Sequence, residues 1–218
     1  VFDLRVLLGS SYNGFSEMLA QIAAAITTFL FNVTMMRLLG EDGVAAITII
    51  IYSQFLLTTL YIGFSMGVAP IISYNFGSKD SGQLKNVVRL CLTFICASSL
   101  IVFLLSMLFS SPLVSLFTPR GSIVYHIALR GFAIFSFSYL FSGVNIFSSA
   151  AFTALSNGKV SALISFLRTI VFISITLLVF PQWIGVTGIW LAVPLAELLT
   201  VAIAVSLILK LRNQYQYL

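Results

Sequence analysis

Charge is scarce in this sequence: Asp, Glu, Lys and Arg together make up 8% of its 218 residues, against about 25% in soluble domains. Cysteine appears twice and histidine once. These shortages exclude whole classes. A disordered chain needs high net charge, a disulfide scaffold needs abundant cysteine, and a collagen-like chain needs a glycine period. What fills the space instead is apolar: 60% of residues are hydrophobic and the mean hydropathy is +1.10. No water-soluble fold hides that much apolar surface, so the solvent implied is lipid.

The formal charge of +5 suggests nucleic acid only until the positions are read. The basic residues sit at the ends of apolar runs, which is a mark of membrane topology. The two cysteines, Cys91 and Cys96, fall five apart in one apolar run, about 140° apart around a helix. They cannot pair there, and without further ligands neither metal binding nor redox chemistry is expected of them. The chain opens on Val1, and its first apolar run lacks the charged, apolar and small-residue order of a signal peptide. It reads as a piece of a longer chain.

A spanning helix needs about 20 mostly apolar residues. Six such runs are present, at 11–36, 44–74, 87–109, 123–153, 160–180 and 184–209. Short polar or turn-forming segments separate them, among them Glu41-Asp42, Lys79-Asp80, Pro119-Arg120, Asn157-Gly158-Lys159 and Pro181-Gln182-Trp183. The expected fold is therefore an all-α membrane protein, a single six-helix bundle over 1–218. Counting Lys and Arg in alternate loops gives its orientation. One side holds Arg5, Lys79, Lys85, Arg89, Lys159, Lys210 and Arg212, while the other holds only Arg37 and Arg120. The excess marks the cytoplasmic side, so both ends of the chain are expected there.

Polar residues are costly in lipid, so their angular placement is informative. In the first helix Asn13, Glu17, Gln21, Thr28 and Asn32 share a sector of about 100°. In the second, Gln54, Thr58, Tyr61 and Ser65 cluster, and in the fourth Ser138, Ser142, Asn145, Ser149 and Thr153 do the same. Ser and Thr in such stripes are explained as helix-to-helix hydrogen bonds worth about 0.6 kcal/mol each. Glu17 is not, because an intramembrane acid costs about 2.5 to 3.5 kcal/mol and gains nothing a Gln would not supply. A partly wetted acid can exchange protons or hold a cation. Glu17 is accordingly read as an acceptor for H+ or Na+, with Asn13 and Gln21 one turn away as ligands or orienting partners.

Glu197 in the last helix and Arg168 in the fifth are read either as a structural ion pair or as part of the coupling. His126 and Arg130 lie near a membrane interface and are read as snorkelling. Gly63, Gly67 and Pro70 interrupt the second helix; they read as a hinge, or as a tight packing site with a static kink.

These residues resemble those of the multidrug and toxic compound extrusion (MATE) transporters. The likeness rests on Glu17 in Asn-Gly-Phe-Ser-Glu-Met, on Leu-Gly-Glu-Asp-Gly-Val-Ala-Ala from Leu39, and on Gly-Val-Ala-Pro-Ile-Ile-Ser-Tyr-Asn-Phe-Gly from Gly67. It continues through Gly158-Lys159, the Arg168 helix and the stretch from Gly185 to Glu197 ending Pro-Leu-Ala-Glu. The resemblance implies the C-terminal lobe, helices seven to twelve, of a plasma-membrane antiporter exporting organic cations and amphipathic drugs in exchange for H+ or Na+. It implies no cofactor. Its implied partners are membrane lipid, the substrate and an N-terminal six-helix lobe, with no nucleic acid. Relatives pair the first-helix acid with an aspartate in the helix matching 123–153, which here holds no acid, so Asn145 and Tyr139 stand as substitutes. Thr28, Asn32, Gln54, Thr58, Tyr61, Ser138, Ser142 and Ser149 are the expected cavity lining.

Three other readings compete. A lipid-linked or polysaccharide flippase needs several deep cations, and only Arg168 lies deep in a helix. An intramembrane enzyme is disfavoured by the absence of HExxH and by the distance of the single His from Glu17. A non-transporting membrane scaffold leaves Glu17 without a purpose.

Overall fold

The structure is a computed structural model that describes the backbone of residues 4–215 and the side chains of 22–215. Asn13, Glu17 and Gln21 therefore lie outside the described side chains.

The chain is helical from α1 (Leu4–Gly77) through α2 (Ser81–Leu108), the short α3 (Ser110–Ser115), α4 (Ile123–Phe135), α5 (Tyr139–Ala154), α6 (Gly158–Phe166), α7 (Ile173–Ile184) and α8 (Val186–Tyr215). A 3-10 turn, Ser136–Ser138, joins α4 to α5, and a π turn, Leu167–Phe172, joins α6 to α7. Five helical stretches are long and apolar enough to cross a membrane, and the first, Ile22–Gly77, has 56 residues. At about 1.5 Å per residue that is about 84 Å, far beyond a hydrocarbon core of about 30 Å. Gly40 resolves the excess. Its φ of 64° and ψ of −152° break the helix, beside the exposed charges of Arg37, Glu41 and Asp42. Phe31 and Met35 before the break and Ile47 and Ile50 after it bury into one core. The chain thus makes six crossings as an all-α bundle.

Element ends follow local chemistry. The Asp80 carboxylate accepts from Gln83 N at 2.9 Å and starts α2 two turns before its apolar run begins. Asn157 caps α6 in the same way through Val160 N. The fifth crossing runs past the expected stop at 180, because Pro181 is accommodated within α7. The turn falls instead at Gly185, whose φ of 59° suits glycine. Gly188 then lies so close to the Phe180 carbonyl that a side chain there would collide with it.

The α4–α5 crossing is the centre of the bundle. Half of its most apolar window is buried, the highest share of any crossing, and α5 packs against α1, α2, α6 and α8. Large apolar side chains such as Phe29, Met66, Leu90, Leu108 and Trp183 cover the outside, as a lipid-facing surface requires.

Candidate functional site

The deepest charges in the described structure meet where α5, the π turn and α8 come together. Glu197, on α8, is 1% exposed. Arg168, on the π turn, reaches it with two nitrogens: Nη2 lies 2.7 Å and Nε 2.8 Å from Glu197 Oε1. Asn145, on α5 and fully buried, gives both amide hydrogens to the same residue. Its Nδ2 donates to Glu197 Oε2 at 2.6 Å and to the Glu197 carbonyl at 2.9 Å. A charge that deep needs a counter-ion and satisfied oxygens. Arg168 supplies the first, and Arg168 and Asn145 together supply the second.

Local sequence explains the geometry. In a π turn the backbone carries one residue more per turn than an α-helix would, which displaces the side chains that follow. Arg168 sits at the start of such a turn, and the Thr169 carbonyl within it accepts from Thr27 Oγ1 of α1 at 2.9 Å. Around Asn145, Ser142 bonds back to the Ser138 carbonyl and Thr176 to Ala192 O. One turn below, a hydroxyl cluster fastens α5 to α6. Ser149 Oγ lies 2.8 Å from Ser161 Oγ and 2.9 Å from Ser165 Oγ, and Thr153 donates to Ser161 at 2.8 Å.

A second polar contact lies between α1, α2 and α5. The Tyr61 hydroxyl, fully buried, points at the Tyr139 carbonyl at 3.4 Å, just after the 3-10 turn. Close approach here depends on Gly143, where an added methyl would collide with Ser99 Oγ and press on Tyr61. The Tyr139 hydroxyl, Ser138 Oγ, Ser65 Oγ and Asn145 Oδ1 are buried with no hydrogen-bond partner among the described residues.

The residues singled out in the sequence are thus divided. Asn145, expected beside the Glu17 site, is joined to Glu197 and only through it to Arg168. Tyr139 and Tyr61 meet each other. Ser142 and Ser149 face the buried seam, whereas Thr28 is exposed and bonds to Ala24 O of its own helix. Asn32 and Gln54 are half-buried, and Thr58 is buried against the Gln54 carbonyl. Gly63, Gly67 and Pro70 lie on an exposed face of an uninterrupted helix, with nothing within 4 Å of either glycine's missing side chain. The close helix approach read there is not made among the described residues. His126 and Arg130 are exposed.

Sequence reasoning missed three things. Thr27, Ser161 and Ser165 bind across helices; for the serines the signal was present, since they are four apart, like Ser149 and Thr153 opposite them. The run Gly63-Phe64-Ser65-Met66-Gly67 spells G-x-S-x-G, the letters of a nucleophile elbow, but Ser65 lies inside a continuous helix and not on a strand-to-helix turn. Among the described residues, no three His, Cys, Asp or Glu side chains come together as a metal site would need.

Six apolar crossings around a largely apolar core that holds a buried ion pair define a multi-pass membrane helical bundle. The family model MatE matches residues 18–178, and the chain belongs to that family. Solved structures agree in fold. A mutant of the Vibrio cholerae MATE transporter VcmN is 21% identical, with a TM-score of 0.85 over 99% of this chain and 50% of that one. A MATE structure in the bent conformation is 18% identical, with a TM-score of 0.85 over 99% and 48%. A MOP superfamily transporter from Pyrococcus furiosus, described as having a binding pocket of reverse polarity that suggests a different function, is 18% identical, with a TM-score of 0.84 over 94% and 46%. The chain spans about half the length of these transporters. No curated protein matches it.

Proposed function

We propose that this chain is the C-terminal lobe of a secondary active antiporter that exports organic cations and amphipathic drugs in exchange for H+ or Na+, with Glu17 as the coupling acid. The observation that carries this reading is the match itself: a MatE family model over 18–178 in a bundle that covers half of each solved transporter. A lobe of this kind alternates access by rocking against a second one about a central cavity. The chemistry asked of the protein is binding and movement of ions, not bond cleavage. In the plasma membrane both ends of the segment face the cytoplasm. In support, Ser73 bonds to Ala154 O, and Tyr215 meets both Asn157 and Phe76. These contacts gather Lys79, Lys85, Arg89, Lys159, Lys210 and Arg212 at one end of the bundle.

The flippase alternative loses its deep cation, because Arg168 is committed to Glu197. The test is uptake and release of a fluorescent organic cation in vesicles holding the full-length protein, under an imposed H+ or Na+ gradient. Gradient-driven transport that disappears in a folded Glu17→Gln variant is the expected result. Unchanged transport in that variant moves the coupling site elsewhere.

A further inference from the structure

Five helical segments meet at the π turn, and the bonds they make run in one direction across the bundle. Asn145 of α5 holds Glu197 of α8 by side chain and backbone, and Glu197 holds Arg168 through one carboxylate oxygen. Arg168 belongs to the π turn between α6 and α7, and that turn offers the Thr169 carbonyl to Thr27 of α1. A π turn carries one residue more than the α-helix it interrupts, so it can pass to α-helical register only by a slip of the flanking helix. Such a slip carries Arg168 away from Glu197 and Thr169 away from Thr27 together. The two contacts therefore hold the same degree of freedom, one from the last helix and one from the first.

We propose that Arg168 and Glu197 are positioning residues: by holding the turn Leu167–Phe172 in π register they fix where the first helix packs, through Thr27. The role rests on the transport reading insofar as the first helix carries the coupling acid, but the mechanical link is a property of this chain alone. The groups facing Glu197 in the described structure are Arg168 from the π turn and Asn145 from α5, so the pair is neutral as a unit and its position is sensitive to the loss of either charge. Thr27 touches neither charged side chain, which separates the positional link from simple charge pairing.

The test uses the full-length protein in lipid vesicles, with spin labels on Phe29→Cys and Leu178→Cys, both lipid-exposed positions on α1 and α7, in a background without other cysteines. Wild type is expected to give one narrow distance distribution. Glu197→Gln, Arg168→Lys and Thr27→Val should each shift or broaden it by about 1.5 to 3 Å, the displacement of a one- or two-residue slip. Thr27→Val is nearly isosteric, so it reports even if a charge variant does not fold. If all three variants keep the wild-type distribution, the proposal is overturned and the pair is a static staple. If only the charge variants shift it, the pair sets the spacing of α1 and α7 by another route and the link through Thr27 is overturned. Ion-gradient transport measured on the same samples is a separate readout. A protein that moves no cation while its distances shift as expected refutes the transport reading and leaves the positional link standing.

Discussion

At the scale of single residues, burial decides what each polar group is worth. Glu197 and Arg168 illustrate the asymmetry of a buried ion pair: removing one partner strands the other's charge, at about 3 to 5 kcal/mol, whereas replacing both by apolar groups of similar volume is close to neutral. Glu197→Ala and Arg168→Ala are each expected to lower stability by that amount, and Glu197→Leu with Arg168→Met to restore most of it, measured by unfolding of the full-length protein in detergent. Near-additive losses in the double variant would argue against the pairing. Gly143 is a different case, because the side chains of Ser99 and Tyr61 occupy the place of its missing methyl. Gly143→Ala is expected to cost about 1 to 3 kcal/mol through overpacking, and Ser99→Ala in the same chain to recover part of it. The pairing of Arg168 with Glu197 was legible in the sequence because each is expensive alone in lipid. The part of Asn145 was not, since an amide 52 positions from the nearest acid in sequence carries no sign of which helix it will face.

At the scale of elements, two of the turns are written in glycine, while Lys79 and Ser156 hold a positive φ of 59° at two others. Gly40 and Gly185 both hold positive φ, at 64° and 59°, where a side chain costs about 1 to 2 kcal/mol. Gly40→Ala and Gly185→Ala are expected to destabilise by about that much in thermal unfolding, while Gly121→Ala, in an exposed loop at φ 88°, should leave the packing of the crossings unchanged. Hydropathy and turn residues were enough to count six crossings, because a 30 Å apolar slab imposes length on each. They were not enough to find the π turn or the 3-10 turn, since one residue more or less per turn leaves hydropathy unaltered. Nor did they place the end of the fifth crossing correctly: Pro181 was read as a stop, yet a proline near a helix end forfeits only one hydrogen bond and the chain continues to Gly185. The polar stripes were visible as stripes, while which of them face protein and which face outward depends on neighbours that periodicity does not name. Thr28 and Ser149 carry the same kind of group, and among the described residues only the second is bonded across helices.

At the scale of the whole molecule, the orientation proposed from the basic residues can be checked directly. Single cysteines in place of Lys79 or Lys210 are expected to react with an impermeant maleimide only from the cytoplasmic side, and one in place of Glu41 only from the outside; the reverse pattern would invert the topology. The Gly63, Gly67 and Pro70 face is exposed, with none of the described residues within 4 Å of either glycine's missing side chain. The Arg168–Glu197 pair also bears on how the protein is made. The two residues are 29 positions apart, and at about 5 to 20 residues per second the arginine leaves the ribosome some seconds before its counter-ion exists. An unpaired arginine in the bilayer costs about 2.5 to 3.5 kcal/mol, so the fifth crossing, apolar as it is, enters lipid less favourably alone than as half of a hairpin. Nascent chains halted before Glu197 are expected to release residues 158–184 into lipid more slowly than chains halted beyond residue 215, so α8 acts as the insertion partner of the helix before it.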